Sequence, residues 1–460
     1  MGSKKNAWLK FDDTKKEEIF SFCEGYKKYI SDCKTERESI KEAISLAESK
    51  GYRDLKNVIS AGKSLKAGDK VYYNNMDKSL ALFLIGSESI ESGMRIIGSH
   101  VDSPRLDLKP NPLYEDSELS LMETHYYGGV KKYQWVTIPL ALHGVVVKKD
   151  GTKIDVVVGE EETDPVVMVS DLLVHLASEQ QQKKATEVIA GEDLNILVGS
   201  MPLEGEEKEA VKANILKLLK EKYDFEEEDF MSAEIEIVPA GKARDLGLDR
   251  SMVAGYGHDD RICAYTSLLA LLETESVKKT SVVLLVDKEE VGSIGATGMQ
   301  SRFFENAVAE LMDRVGEYSE LKLRRALANS KMLSSDVTAA FDPNYAGAYE
   351  KKNSAFFGKG LAFAKYTGAR GKSGCNDANA EFVAWLRNVM DESDVSYQMA
   401  ELGKVDQGGG GTIAYILAEY GMEVIDCGVA LQNMHAPWEV ASKVDIYETM
   451  RGYKAFLIAE

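Results

Sequence analysis

VVLLVDKEEVGSIGATG, residues 282–298, sets the fold class and the place to look for chemistry. Val282 to Val286 form an unbroken run of branched apolar residues, the composition of a strand buried on both faces. The run leads into Glu289 and Glu290 and then breaks on a glycine-rich turn. Successive side chains of an extended segment point to opposite sides, so adjacent carboxylates leaving a strand can do separate jobs, one binding a metal and the other facing its water. Ligands in α/β proteins gather at the carboxyl ends of strands. That position distinguishes this pair from Glu160–Glu161 and Glu206–Glu207.

Working outward, residues 15–31 and 35–49 carry apolar residues at helical spacing, and Thr35 with Glu38 makes a capping box. ALFLIG (81–86) and MRIIGSH (94–100) read as buried strands, the second ending on His100. Downstream come a helix over 260–274, a strand over 281–287, helices near 303–329 and a strand-like SAFFGKGLAF (354–363). A helix over 376–391, the strand MEVIDCGVA (422–430) and a closing helix over 442–459 follow. Strands alternating with helices imply an α/β domain whose largely parallel sheet is covered on both faces. Residues 108–240 differ in texture, with short β-branched runs, acidic connections and one helical stretch around 206–223. The simplest reading is a discontinuous catalytic domain (1–107 and 241–460) interrupted by a β-rich insert (108–240).

Composition removes whole classes of function. The chain has 460 residues, 56 basic against 75 acidic, for a formal charge of −19, and no basic run suited to a phosphate backbone, so nucleic acid is not expected as a partner. No stretch approaches the roughly 18 apolar residues of a membrane-spanning helix. The N-terminal MGSKKNAWLKFDD has neither the apolar centre nor the cleavage site of a secretory leader. Cys23, Cys33, Cys263, Cys375 and Cys427 are odd in number and scattered, which fits reduced core thiols and a cytoplasmic protein.

Only six histidines exist. His100 lies in SHVDSP with Asp102 two residues on, sharing a face in extended chain; a metal-bound imidazole commonly gives its other N–H to such a carboxylate. Asp259 and Asp260 follow His258 just before an apolar helix, where Asp260 suits an N-cap. Asp336 stands at a strand-to-loop change, and His435 follows an apolar run and precedes Pro437. As a set, two His, two Asp and one Glu with a spare Glu is the donor inventory of a dinuclear hydrolytic site. Imidazole with carboxylate suits Zn, Co or Mn, and the missing thiolates speak against a structural zinc site. Gly408–Gly411 with Thr412 lacks the Lys-Ser/Thr of a P-loop, and no GxSxG elbow occurs.

SHVDSPRLDLKP, GHDDR, DKEEVGSIGATG, SSDVTAAFDPNY and NMHAPWE, in this order, resemble the aspartyl aminopeptidase and vacuolar aminopeptidase I family of metallopeptidases, with the bacterial aminopeptidase 1 type the nearer match. The likeness runs from about residue 10 to the C-terminus. It implies a three-layer α/β/α zinc-peptidase-like domain, an inserted dimerisation domain, and removal of single residues from peptides with a free N-terminus. By resemblance Asp259 bridges two metal ions, most in keeping with Zn, one completed by His100 and Asp336 and the other by Glu290 and His435. Glu289 becomes the general base and Asp102 the partner of His100. The resemblance also implies dimers assembled into a tetrahedral dodecamer, with a histidine from a neighbouring insert completing the substrate site. His175 in SDLLVHLASE sits where that residue is expected, although by itself it reads as a helix residue on an apolar face. Aspartyl members grip an acidic side chain with a basic residue; Lys365 is the counterpart here, with Lys372 a competitor, in flanks that fit poorly. A neutral preference therefore stands beside an acidic one. The rival readings are a related tetrahedral dinuclear aminopeptidase, a metal-dependent deacylase of small amides, and a catalytically inert assembly or cargo protein.

Overall fold

The computed structural model describes residues 5–460, so the first four residues of the N-terminal stretch lie outside it. The chain divides into two compact units. The first comprises the chain up to Asp102, Ala243–Met434 and Glu439–Glu460; the second comprises Ser103–Lys242 and His435–Trp438.

Among the described residues, nine strands of the first unit form one sheet in the order Arg53–Asp54, Lys70–Asn75, Ser79–Leu84, Ser281–Val286, Arg95–His100, Lys331–Ser335, Glu423–Gly428, Leu361–Ala364, Tyr397–Met399. We call Arg95–His100 β1, Ser281–Val286 β2, Lys331–Ser335 β3 and Glu423–Gly428 β4. These four are the centre, ordered β2-β1-β3-β4, and every pairing among them is parallel. Their carboxyl ends therefore lie along one edge, with Val286 in register with His100 and Ser335 with Cys427.

Alternation along these strands builds two cores. Ile97, Val283, Leu285, Leu333 and Ile425 pack to one face with helices His258–Leu272 and Lys443–Ile458. Ile96, Val282, Leu284, Val286, Met332 and Val424 pack to the other with Phe303–Arg314 and Ala414–Ala418. Each such fully buried branched side chain contributes about 1.5–3 kcal/mol relative to exposure. That two-sided burial is why the strands read as continuous apolar runs. The Thr35–Glu38 capping box is formed as well.

The second unit carries a seven-stranded sheet whose pairings are all antiparallel, running from Lys153–Val158 at one edge to Met168–Val169 at the other. Its helix, Ala210–Tyr223, starts later than the expected 206. Residues 170–179 depart from the expected helix, with successive turns over 174–179. Asp171 accounts for this, since its carboxylate accepts from the Leu172 N–H at 2.8 Å and the Gln180 side-chain amide at 2.9 Å. Such local bonds compete with helical ones. Leu172, Leu173, Val174 and Leu176 are left exposed, and so is His175.

Candidate metal centre

Three central strands deliver the donor groups to one edge of the sheet. β1 ends on His100, with Asp102 two residues beyond; β2 leads through Asp287 to Glu289 and Glu290; β3 leads to Asp336. The turn after β2 is pinned, because the Thr297 hydroxyl donates to Asp287 at 2.6 Å and the Ser293 N–H to the Lys288 carbonyl at 2.7 Å. A side chain at Gly298 would start 2.3 Å from the Ser293 carbonyl oxygen, which is why this compact turn needs glycine there. A fourth segment enters at Asp259 and Asp260, whose backbone angles are not helical although they open the His258–Leu272 helix; the peptide bond joining them is cis.

His100 is the hub. Its Nδ1 lies 2.9 Å from the Asp102 carbonyl oxygen and 3.2 Å from Asp102 Oδ1. Its Nε2, buried and without a hydrogen bond, lies 3.2 Å from Asp259 Oδ1, 3.7 Å from Asp336 Oδ1 and 3.9 Å from Glu289 Oε2. Asp102 does more than face the imidazole: its two carboxylate oxygens accept the backbone N–H groups of Glu289 and Glu290, each at 3.2 Å. Among the described residues of the first unit, two donor groups emerge, His100 with Asp260 and Asp336, and His100 with Glu289 and Glu290, the atoms of each lying within 4.8 Å of one another.

Asp260 is the residue that sequence reasoning undervalued. It is fully buried and is not the helix N-cap. Its Oδ2 accepts the His100 backbone N–H at 3.3 Å, while its Oδ1 is buried without a hydrogen bond. A helix-start aspartate gives no sequence signal for such a long-range role.

So many carboxylates in so little water strain their ionisation. Burial, reinforced by Asp336, pushes the Glu289 carboxyl up to about 8. Burial also raises Asp336 and lifts Asp260 well above the carboxylate range, with the neighbouring Asp259 and Asp336 charges respectively adding to it. Burial alone would lower His100, but the Asp102, Asp259 and Asp336 carboxylates around the ring more than offset it and the imidazole is held well above its usual value. Three acidic side chains converging on one imidazole nitrogen, with no thiolate among them, fit hard to borderline divalent cations.

His435 groups with the second unit, where its Nδ1 lies 2.8 Å from the Gly129 carbonyl oxygen. Lys365 and Lys372 both bind the Asp377 carboxylate, at 3.1 and 2.9 Å, and Lys372 also stacks over Tyr366.

The sequence matches the family profile described as Aminopeptidase I zinc metalloprotease (M18) over residues 29–457. The chain belongs to the M18 aminopeptidase family. A probable M18 family aminopeptidase 1 from Clostridium acetobutylicum is 67% identical, with 98% of each chain covered. The crystal structure of an M18 aminopeptidase from Thermotoga maritima superposes with a TM-score of 0.95 at 45% identity, with 99% of each chain covered. A Saccharomyces cerevisiae structure described as an mApe1 dodecamer shares the fold at 20% identity, with a TM-score of 0.77 and 95% of this chain and 96% of that one covered. M18 membership makes this chain an exopeptidase of the zinc metalloprotease type acting on peptides. It decides between the two aminopeptidase families that the sequence left open and sets aside the deacylase and inert-shell readings. No helix among the described residues is long and apolar enough to cross a membrane.

Proposed function

We propose that the chain is a two-metal aminopeptidase in which Glu289 is the general base. The convergence of Asp259, Asp336 and Glu289 on His100 Nε2 carries this reading. Asp259 would serve both sites; His100 and Asp336 would complete one, and Glu290 with His435 the other. With the Gly129 carbonyl at its Nδ1, His435 would ligate through Nε2. Two divalent ions, most in keeping with Zn, would polarise the scissile carbonyl and acidify the attacking water. Glu289 would take the proton from that water and deliver it to the leaving nitrogen. Asp102 fixes the tautomer of His100 and, by accepting the Glu289 backbone N–H, the position of Glu289. Asp260 holds the His100 backbone through its Oδ2.

The insert is read as a dimerisation domain, and the exposed apolar turn around His175 as the element that reaches a neighbouring subunit's substrate site. The yeast dodecamer supports a homo-oligomer, for which dimers assembled into a tetrahedral dodecamer are the expected form. The scattered reduced cysteines support a cytoplasmic location.

The test is metal stoichiometry together with turnover of aminoacyl anilides. Wild-type protein is expected to bind two ions per chain, and Glu289→Gln to keep both while losing about 10²–10⁴ in rate. A single ion at saturation, or a Gln variant that turns over normally, overturns the mechanism.

A further inference from the structure

The main chain at Asp259 has no partner in its own helix. A strand, Met252–Gly255, and Gly257 at positive φ lead into it, and Asp259 itself sits at φ −80° and ψ 107°. The first N–H groups of a helix find no acceptor within it, and Asp259 is buried, so water does not serve instead. The acceptor comes from 180 residues downstream, where Glu439 Oε2 takes the Asp259 N–H at 3.1 Å. Glu439 opens the strand Glu439–Ser442, whose antiparallel register sets it opposite Gly255, and it too is buried.

The residue before Asp259 is held as well. His258 is fully buried, with its Nδ1 2.5 Å from the Tyr26 hydroxyl and its ring stacked on Tyr26 at 5.6 Å between centroids. Tyr26 belongs to helix Asp13–Asp32 and is itself fully buried. On its other nitrogen the imidazole lies against Gly255, where a Cβ would stand 3.6 Å from Nε2. Successive residues are thus tied to two different elements, which leaves the Asp259 main chain one setting.

The same device occurs twice more at the metal centre. Asp102 accepts the N–H groups of Glu289 and Glu290, and Asp260 accepts that of His100. In each case a buried carboxylate grips the main chain of a candidate ligand.

We propose that Glu439 and Tyr26 are positioning residues for Asp259, Glu439 through its backbone N–H and Tyr26 through His258. A ligand whose main chain can tilt presents its oxygens off the ions, and loss of an outer hydrogen-bond partner typically costs about 10–100-fold in metal affinity. The inference rests on the reading of Asp259 as a metal ligand.

The experiment titrates metal-stripped wild type, Glu439→Leu, Glu439→Gln, Tyr26→Phe and Asp259→Asn with Co²⁺, following the visible absorption of the bound ion, and records melting curves without metal. Glu439→Leu removes the acceptor and should lose about 10–100-fold in Co²⁺ affinity, with an altered spectrum. Glu439→Gln keeps an amide oxygen that can accept the same N–H, and should recover most of that loss. Tyr26→Phe should show a smaller loss in the same direction. A Leu variant that melts lower yet binds Co²⁺ with wild-type affinity and spectrum has lost only stability, which overturns the proposal. A Gln variant as impaired as Leu overturns the N–H anchor. Should Glu439→Leu fail to fold, the Tyr26→Phe titration decides, a loss supporting the proposal and wild-type affinity overturning it. If Asp259→Asn itself binds Co²⁺ as wild type does, the metal-ligand reading on which the inference stands falls instead.

Discussion

The Asp102 carboxylate accepts the backbone N–H of Glu289 at 3.2 Å, joining segments 187 residues apart. Its other oxygen takes the Glu290 N–H at the same distance, and Oδ1 also lies 3.2 Å from His100 Nδ1. One buried side chain thus sets the orientation of the imidazole and the position of the two glutamates. Asp102→Asn retains the shape but turns one acceptor into a donor facing a backbone N–H. Loss of about 10–100-fold in metal affinity or activity is expected. Metal titration of the variant beside its kcat checks this; unchanged affinity and rate would show that Asp102 only fills space.

Metal uptake should release protons. In the protein without ions the Glu289 carboxyl lies up at about 8 because of burial and Asp336, so near pH 7 it is largely protonated. A bound cation favours the ionised form. Calorimetric binding enthalpies measured at pH 7 in buffers of different ionisation enthalpy should therefore depend on the buffer, and no dependence would refute the coupling. The sign for stability follows from linkage. A carboxyl whose folded pKa is raised makes the metal-free protein lose stability as pH climbs from the unfolded value toward about 8, at most about 1.4 kcal/mol per pH unit for the group. Metal-free protein should melt higher at pH 6 than at pH 8.5, and saturating Zn²⁺ should flatten that difference.

Asp245 anchors the fold through charge. Burial pushes its carboxyl up, but Lys27, Lys443 and Arg250 together hold it well below the carboxylate range. Lys443 approaches it at 2.8 Å with a fully buried side chain. Asp245→Ala leaves that ammonium buried without its acid, and a loss of about 3 kcal/mol is expected. Because the folded pKa is depressed, the contribution is present above the unfolded value and fades as pH falls below it. The difference in melting temperature between variant and wild type should thus shrink below about pH 4. A variant as stable as wild type at pH 7 would contradict the account.

What was legible in the sequence was what local order encodes. β2 and its glutamates announce themselves because two-sided burial demands an unbroken apolar run and the chemistry follows it directly. Lys70–Asn75 was missed: it is half polar, and its hairpin turns on Met76 and Asp77, both at positive φ, with no Asn-Gly or Asp-Gly pair to signal it. Asp260 was read as a helix cap because its true partner, the His100 backbone, lies 160 residues away. The 170–179 segment reads as a helix in the sequence because its apolar content masks what the Asp171 carboxylate does to its neighbours.

That turn carries the last prediction. His175 stands among exposed Leu173, Val174 and Leu176, an apolar group that water alone does not favour and that a neighbouring copy would cover. If His175 acts in a neighbour's substrate site, His175→Ala should lower kcat/KM strongly while its own Glu289 and metal ligands stay intact. Glu289→Gln should be inactive with its His175 intact. Dissociating the two variants and reassembling them together would then place a wild-type His175 against a wild-type Glu289 in some mixed assemblies. Activity above the sum of the separate variants is the expected outcome. A mixture no more active than its parts, with mixed assembly verified by native mass spectrometry, would confine His175 to its own chain or remove it from the substrate site.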